Sequence, residues 1–128
     1  MPAFLFDIVL SMSTNVLEKI LKYGVYVVAF VPLVIFSQFI SPFHFGKVIV
    51  FRTIMEVLFV FYAVLVWRDR SYLPKRDSIF RSFFAFTAVF GLTTIFSIQP
   101  YESFWGALER MGGFWTFLHY FVYLVILI

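Results

Sequence analysis

The chain has no cysteine in its 128 residues, which excludes disulfides and thiolate metal sites. It has two histidines, His44 and His119, and seven acidic residues spread along its length, too few and too scattered to suggest a metal centre. Charged residues make up 13% of the chain, about half the share in a soluble domain. No P-loop, G-x-S-x-G, H-E-x-x-H or paired-acid motif is present, so the sequence offers no self-contained catalytic site and no cofactor signature. Apolar residues fill the space instead. They reach 62%, with 20 phenylalanines, against roughly 45–50% in ordinary domains. The mean hydropathy is +0.96. A soluble fold of this size buries only about two thirds of its chain surface and could not hide so much apolar area. A disordered chain, a nucleic-acid-binding domain and an ordinary soluble enzyme are excluded. An integral membrane protein remains, because its solvent is itself apolar.

Four apolar stretches predict an all-α, polytopic protein with spans near 16–40, 47–67, 81–98 and 113–128. Asn15, followed three residues later by Glu18, reads as the capping signal of the first. Lys19 and Lys22 mark its membrane edge. From Tyr23 to Ile40 no charge occurs, and 18 helical residues rise about 27 Å, close to the ~30 Å hydrocarbon core. Pro32 is expected to kink this helix. The second stretch is apolar apart from Arg52, Thr53 and Glu56. The third ends at Gln99-Pro100, a helix stop. The fourth, from Phe114 to Ile128, shows no stop signal or charge in its last residues, Leu124 to Ile128, and its 15 residues rise only about 22 Å. It reads as a truncated last span in an N-terminal fragment of a longer protein; a short, tilted helix is the alternative.

Basic residues set the expected orientation. The 68–81 loop carries Arg68, Arg70, Lys75, Arg76 and Arg81, and the N-terminal segment adds Lys19 and Lys22. The other connections carry only Lys47 and Arg110. The positive-inside rule then puts the N-terminus and the 68–81 loop in the cytoplasm, with 41–47 and 99–112 outside. The net charge of +3 is therefore a topology signal and implies no nucleic-acid partner. Phe104, Trp105, Phe114 and Trp115 fit an interfacial belt, so the long outer connection is expected to form a short amphipathic helix on the membrane surface. Gly112-Gly113 reads as a helix entry or bend.

Arg52 and Glu56 are the most informative pair. Four residues apart on one helix face, they can form an intramembrane ion pair. Glu56 falls about 15 Å into the helix, near the bilayer centre, where an ionisable group is a functional-site hypothesis by default. A self-neutralising pair, with Arg52 snorkelling toward the headgroups, reads equally well. Lys47, Arg52 and Arg110 lie toward the outer face, where arginine suits a phosphate through bidentate contacts. An ordinary interfacial loop, with Arg110 pairing to Glu109, Glu102 or a lipid phosphate, is the simpler reading there. His119, with Tyr120 and Tyr123 nearby, reads as a hydrogen-bonded packing residue before a base, and stays a candidate; His44 reads as a surface residue of a tight turn.

Two segments carry a resemblance. The first is Phe45-Gly46-Lys47, then Phe51-Arg52 and Glu56. The second is Phe96-Ser97, Pro100, Ser103-Phe104-Trp105-Gly106 and Glu109-Arg110-Met111-Gly112-Gly113. Together they resemble the opening of bacterial O-antigen ligase and O-antigen polymerase-type polytopic proteins, over about residues 20–128. That family often has Glu-Gly where this chain has Gly112-Gly113. The resemblance implies glycan transfer at the periplasmic face of the inner membrane, in lipopolysaccharide and cell-envelope biosynthesis. The donor would be an undecaprenyl-pyrophosphate-type lipid-linked glycan, and no cofactor is used. The family's catalytic residues lie in later spans and a large outer loop, so the fragment alone is expected to be inactive. What carries over is Lys47, Arg52 and Arg110 as positions near a pyrophosphate. Two other readings stand beside this one: a complete small membrane subunit with an assembly role, and a fragment of a lipid-linked sugar flippase or transporter.

Overall fold

The computed structural model describes residues 2–33, 45–107 and 112–128. Among these residues the chain is helical, with no strand. The α-helices are α1 (Pro2–Ser11), α2 (Thr14–Phe30), α3 (Phe45–Arg68), α4 (Ser78–Ile95), α5 (Pro100–Trp105) and α6 (Phe114–Leu127). Short 3-10 turns occupy Val31–Leu33 and Arg70–Tyr72. Two helices, Gly46–Arg68 with 23 residues and Ser78–Ile95 with 18, are long and apolar enough to cross a membrane. The α6 helix is apolar but shorter.

The helix ends follow from local chemistry, and several differ from the sequence expectation. Ser13, not Asn15, is the N-cap of α2; its extended backbone turns its carbonyl toward the amides of Val16 and Leu17. Asn15 is the second residue of α2, already helical, where the predicted capping box has no role. Pro32 lacks the amide that would continue the α-helix. The α-helix accordingly stops at Phe30 and tightens into the Val31–Leu33 turn. Residues 34–40 of the predicted first span lie outside the described residues. The α4 helix is shifted three residues upstream of the predicted 81–98 span. Asp77 is its N-cap, so charged Arg81 falls at the end of the first turn rather than at the helix start. At the other end Pro100 disfavours a helical Gln99. The chain turns at Phe96–Gln99, where the Ser103 hydroxyl donates to Ser97 Oγ at 2.7 Å. Pro100 then opens α5 as its first residue. The expected amphipathic helix of the outer connection is thus only Pro100–Trp105, and residues 108–111, including Glu109 and Arg110, lie outside the described set.

Three packing seams organise the bundle. Leu17, Leu21 and Val28 of α2 meet Met55, Leu58, Val64 and Leu65 of α3. Gly24 lets these helices close, since a Cβ there would overlap the Leu58 methyl groups. The seam is antiparallel: Arg68 donates to the Met12 carbonyl at one end, and Lys47 to the Pro32 carbonyl at the other. The second seam joins α3 to α6, which run parallel. The third is a phenylalanine ladder between antiparallel α4 and α6. Phe83 stacks on Phe117 at 5.6 Å, Phe80 reaches Phe121 at 5.8 Å, and Phe90 meets Phe114 edge-on at 5.7 Å. Among the described residues α4 packs on α5 and α6 and not on α2 or α3. Its other faces leave Phe84, Phe86, Val89, Leu92 and Ile95 exposed.

The α5–α6 junction needs glycine twice. Gly106 has a φ of 83°, the left-handed region. Gly113, the N-cap of α6, presses on the backbone of Phe104–Gly106, so any Cβ there would collide with main chain.

Candidate functional site

Among the described residues the α3–α6 seam carries three of the five buried polar side chains; the other two, Thr87 and Thr94, lie on α4 and donate to carbonyls of their own helix. Arg52, Thr116 and His119 are each buried. Arg52 points at α6, where its guanidinium donates to the Thr116 hydroxyl. One turn further along, Nε2 of His119 stands 3.5 Å from Oε1 of Glu56. The other imidazole nitrogen, Nδ1, sits 2.8 Å from the Trp115 carbonyl, one helical turn back. That contact fixes the ring orientation and, with the Trp115 ring at 5.1 Å, holds the imidazole in the seam. Phe51 and Tyr120, ring centroids 5.0 Å apart, pack beside Arg52 on the other side.

The register explains this grouping. On α3 the polar positions are four apart, and on α6 Thr116 and His119 are three apart, so each pair shares one face. Parallel packing then sets 52 against 116 and 56 against 119. Arg52 lies six residues past Gly46, about 9 Å along the helix, and Glu56 about 15 Å. Glu56 therefore sits near the middle of a helix about 35 Å long. Its side chain is 60% exposed, against 8% for His119. The carboxylate faces the imidazole on one side and the bundle's exterior on the other.

The predicted site residues divide. Arg52 and Glu56 share the seam; Arg52 meets Thr116, and Glu56 meets His119. Glu56 and Tyr120 are also electrostatic neighbours of Arg52. Lys47 lies elsewhere, facing α2, with its ammonium 2.6 Å from the Pro32 carbonyl. A cation at a helix C-terminus is favoured there, because the last carbonyls lack helical partners. Lys47 also lines a cleft of about 460 Å³ with Val28, Pro32, Phe51, Tyr120 and Tyr123. Arg110 and His44 lie outside the described residues. Among the described residues no three His, Asp or Glu side chains gather as a metal site.

Thr116 was legible in the sequence only as part of an apolar run, and His119 as a packing residue before a base. The available signal was their three-residue spacing, which matches the Arg52–Glu56 stripe once α3 and α6 are known to be parallel neighbours. Comparison with protein-family models, with curated proteins and with solved structures finds no match to this chain.

Proposed function

We propose that this chain is part of a polytopic inner-membrane protein, with its N-terminus cytoplasmic, that moves a lipid-pyrophosphate-linked glycan to an acceptor at the outer face, as O-antigen ligases do. One observation carries the membrane-site reading: Glu56 stands at mid-helix, paired with His119 on one side and exposed on the other, as the acidic residue of a helix long and apolar enough to cross a membrane. A carboxylate in that setting is expensive in lipid and requires a polar neighbour in the working protein. The glycan-transfer part rests on the sequence resemblance. In this reading the seam braces the outer half of α3, and Lys47, Arg52 and Arg110 supply positive charge toward a pyrophosphate. The ammonium of Lys47 has three donors and uses one on Pro32. No residue here is assigned as the catalytic base.

The test is glycan transfer by the full-length protein at matched expression. Arg52→Ala or Arg110→Ala is expected to lower transfer about tenfold or more, the rate equivalent of a lost contact of 1.4 kcal/mol. Lysine should replace either arginine poorly, since it cannot grip two oxygens in one plane. Normal transfer by both alanine variants would leave the arginines as interfacial anchors with no part in binding the pyrophosphate.

A further inference from the structure

A groove of about 640 Å³ lies between α2, α3 and the second half of α6, near the end of the bundle that carries the Arg68–Asp77 loop. Its floor is apolar, formed by Leu21, Val25 and Ala29 of α2, Leu65 of α3, and Tyr123 and Ile126 of α6. Between Glu18 and Ala29 the α2 helix rises about 16 Å, close to the hydrocarbon depth of one leaflet. The mouth is polar. Lys22 comes from α2 and Lys75 from the loop, so two ammonium groups stand on different walls. Ser71 and Tyr72 lie between them in the lining. The acidic side chain on this lining, Glu18, accepts a hydrogen bond from the Tyr72 hydroxyl at 3.3 Å. Asp69, just outside, accepts from the Ser71 amide at 2.9 Å.

We propose that this groove binds an anionic phospholipid of the leaflet on that side, with one acyl chain along α2 and the phosphate between Lys22 and Lys75. The proposal rests on the bundle lying in a bilayer and is independent of glycan transfer. Charge decides the occupant. Two cations, Lys22 and Lys75, line the groove against one carboxylate side chain, Glu18, so the side-chain charge of the lining is positive. Basic pockets between helices at the cytoplasmic surface favour anionic headgroups. An apolar helix laid in the trough would instead bring its backbone against two ammonium groups without an anion to meet them.

The full-length protein is reconstituted in phosphatidylcholine vesicles containing phosphatidylglycerol, extracted into neutral detergent, and its retained lipid is read by native mass spectrometry. The expected result is retained phosphatidylglycerol, reduced about tenfold or more in Lys22→Gln/Lys75→Gln as two charge-assisted contacts are lost. Lys19→Gln/Arg81→Gln, an equal charge change at the same end, should leave retention unchanged. Equal losses in the two double variants would show diffuse surface attraction and overturn the site. The absence of cysteine allows a second reading, with a benzophenone attached at Val25→Cys. A phospholipid adduct supports the proposal; an adduct to a protein segment makes the groove a helix-docking face and overturns it. Recovery of the chain in the aqueous fraction, without vesicles, would overturn the membrane reading together with this site.

Discussion

The imidazole Nε2 of His119 stands 3.5 Å from the Glu56 carboxylate, and one turn away the Arg52 guanidinium donates to the Thr116 hydroxyl. Two polar contacts on successive turns thus join α3 to α6 between otherwise apolar helices. In lipid, where helices lack a hydrophobic drive to associate, such contacts and close packing set which faces meet.

Thr116→Val removes the hydroxyl that accepts from a buried guanidinium, at nearly constant volume. We expect a stability loss of about 1–3 kcal/mol, the usual cost of losing such a partner. Thr116→Ser keeps the acceptor and should lie close to the wild type. Thermal unfolding in detergent, followed by tryptophan fluorescence, separates the two. Equal behaviour of both variants would mean that the Arg52–Thr116 contact contributes little.

Gly113 and Gly112 offer a paired comparison. A Cβ at Gly113 meets the backbone of Phe104–Gly106, while at Gly112 it meets open space. Gly113→Ala should therefore cost about 1–3 kcal/mol, as overpacking does, and Gly112→Ala should be almost silent. The same unfolding assay reads both, and an equal loss in the two would contradict the close approach of α5 to α6.

The loop turn has an acid limit. The Ser71 amide and hydroxyl hold the Asp69 carboxyl below the ordinary aspartate range. A depressed carboxylate favours the folded turn above the unfolded value and loses that support as pH falls through the folded one. Hydrogen exchange at the Ser71 amide should accordingly show declining protection as pH drops below about 4. In Asp69→Ala the protection should be weak at every pH. An unchanged profile in that variant would remove Asp69 from the account.

Topology is testable because the chain has no native thiol. Tyr101 and Lys75 flank opposite ends of α4, and both are exposed. In intact cells an impermeant maleimide should modify Tyr101→Cys and spare Lys75→Cys. The reverse pattern would turn the orientation over.

Composition and pattern made the helical class legible, together with the Arg52–Glu56 stripe, because both are local properties. The helix ends were less legible. Apolar content located the start of the third span at Arg81, but a cap at Asp77 begins α4 three residues earlier, and a charged side chain in the first turn still reaches polar surroundings. Thr116 and His119 were the hardest to see. Their meaning depends on the parallel pairing of two helices far apart in the chain, and the spacing of one helix carries no information about which face another will present.

The Arg52–Thr116 contact spans 64 residues. Ribosomes add roughly 5–20 residues per second, so Thr116 emerges about 3–13 s after Arg52. The α2–α3 hairpin can close during that interval, since its partners are already made. The α4 helix cannot, because α5 and α6 are the helices it packs on. The arginine is therefore made before the Thr116 hydroxyl exists. A chain paused before residue 116 would lack this contact, and α3 would stand without the α6 face it packs on.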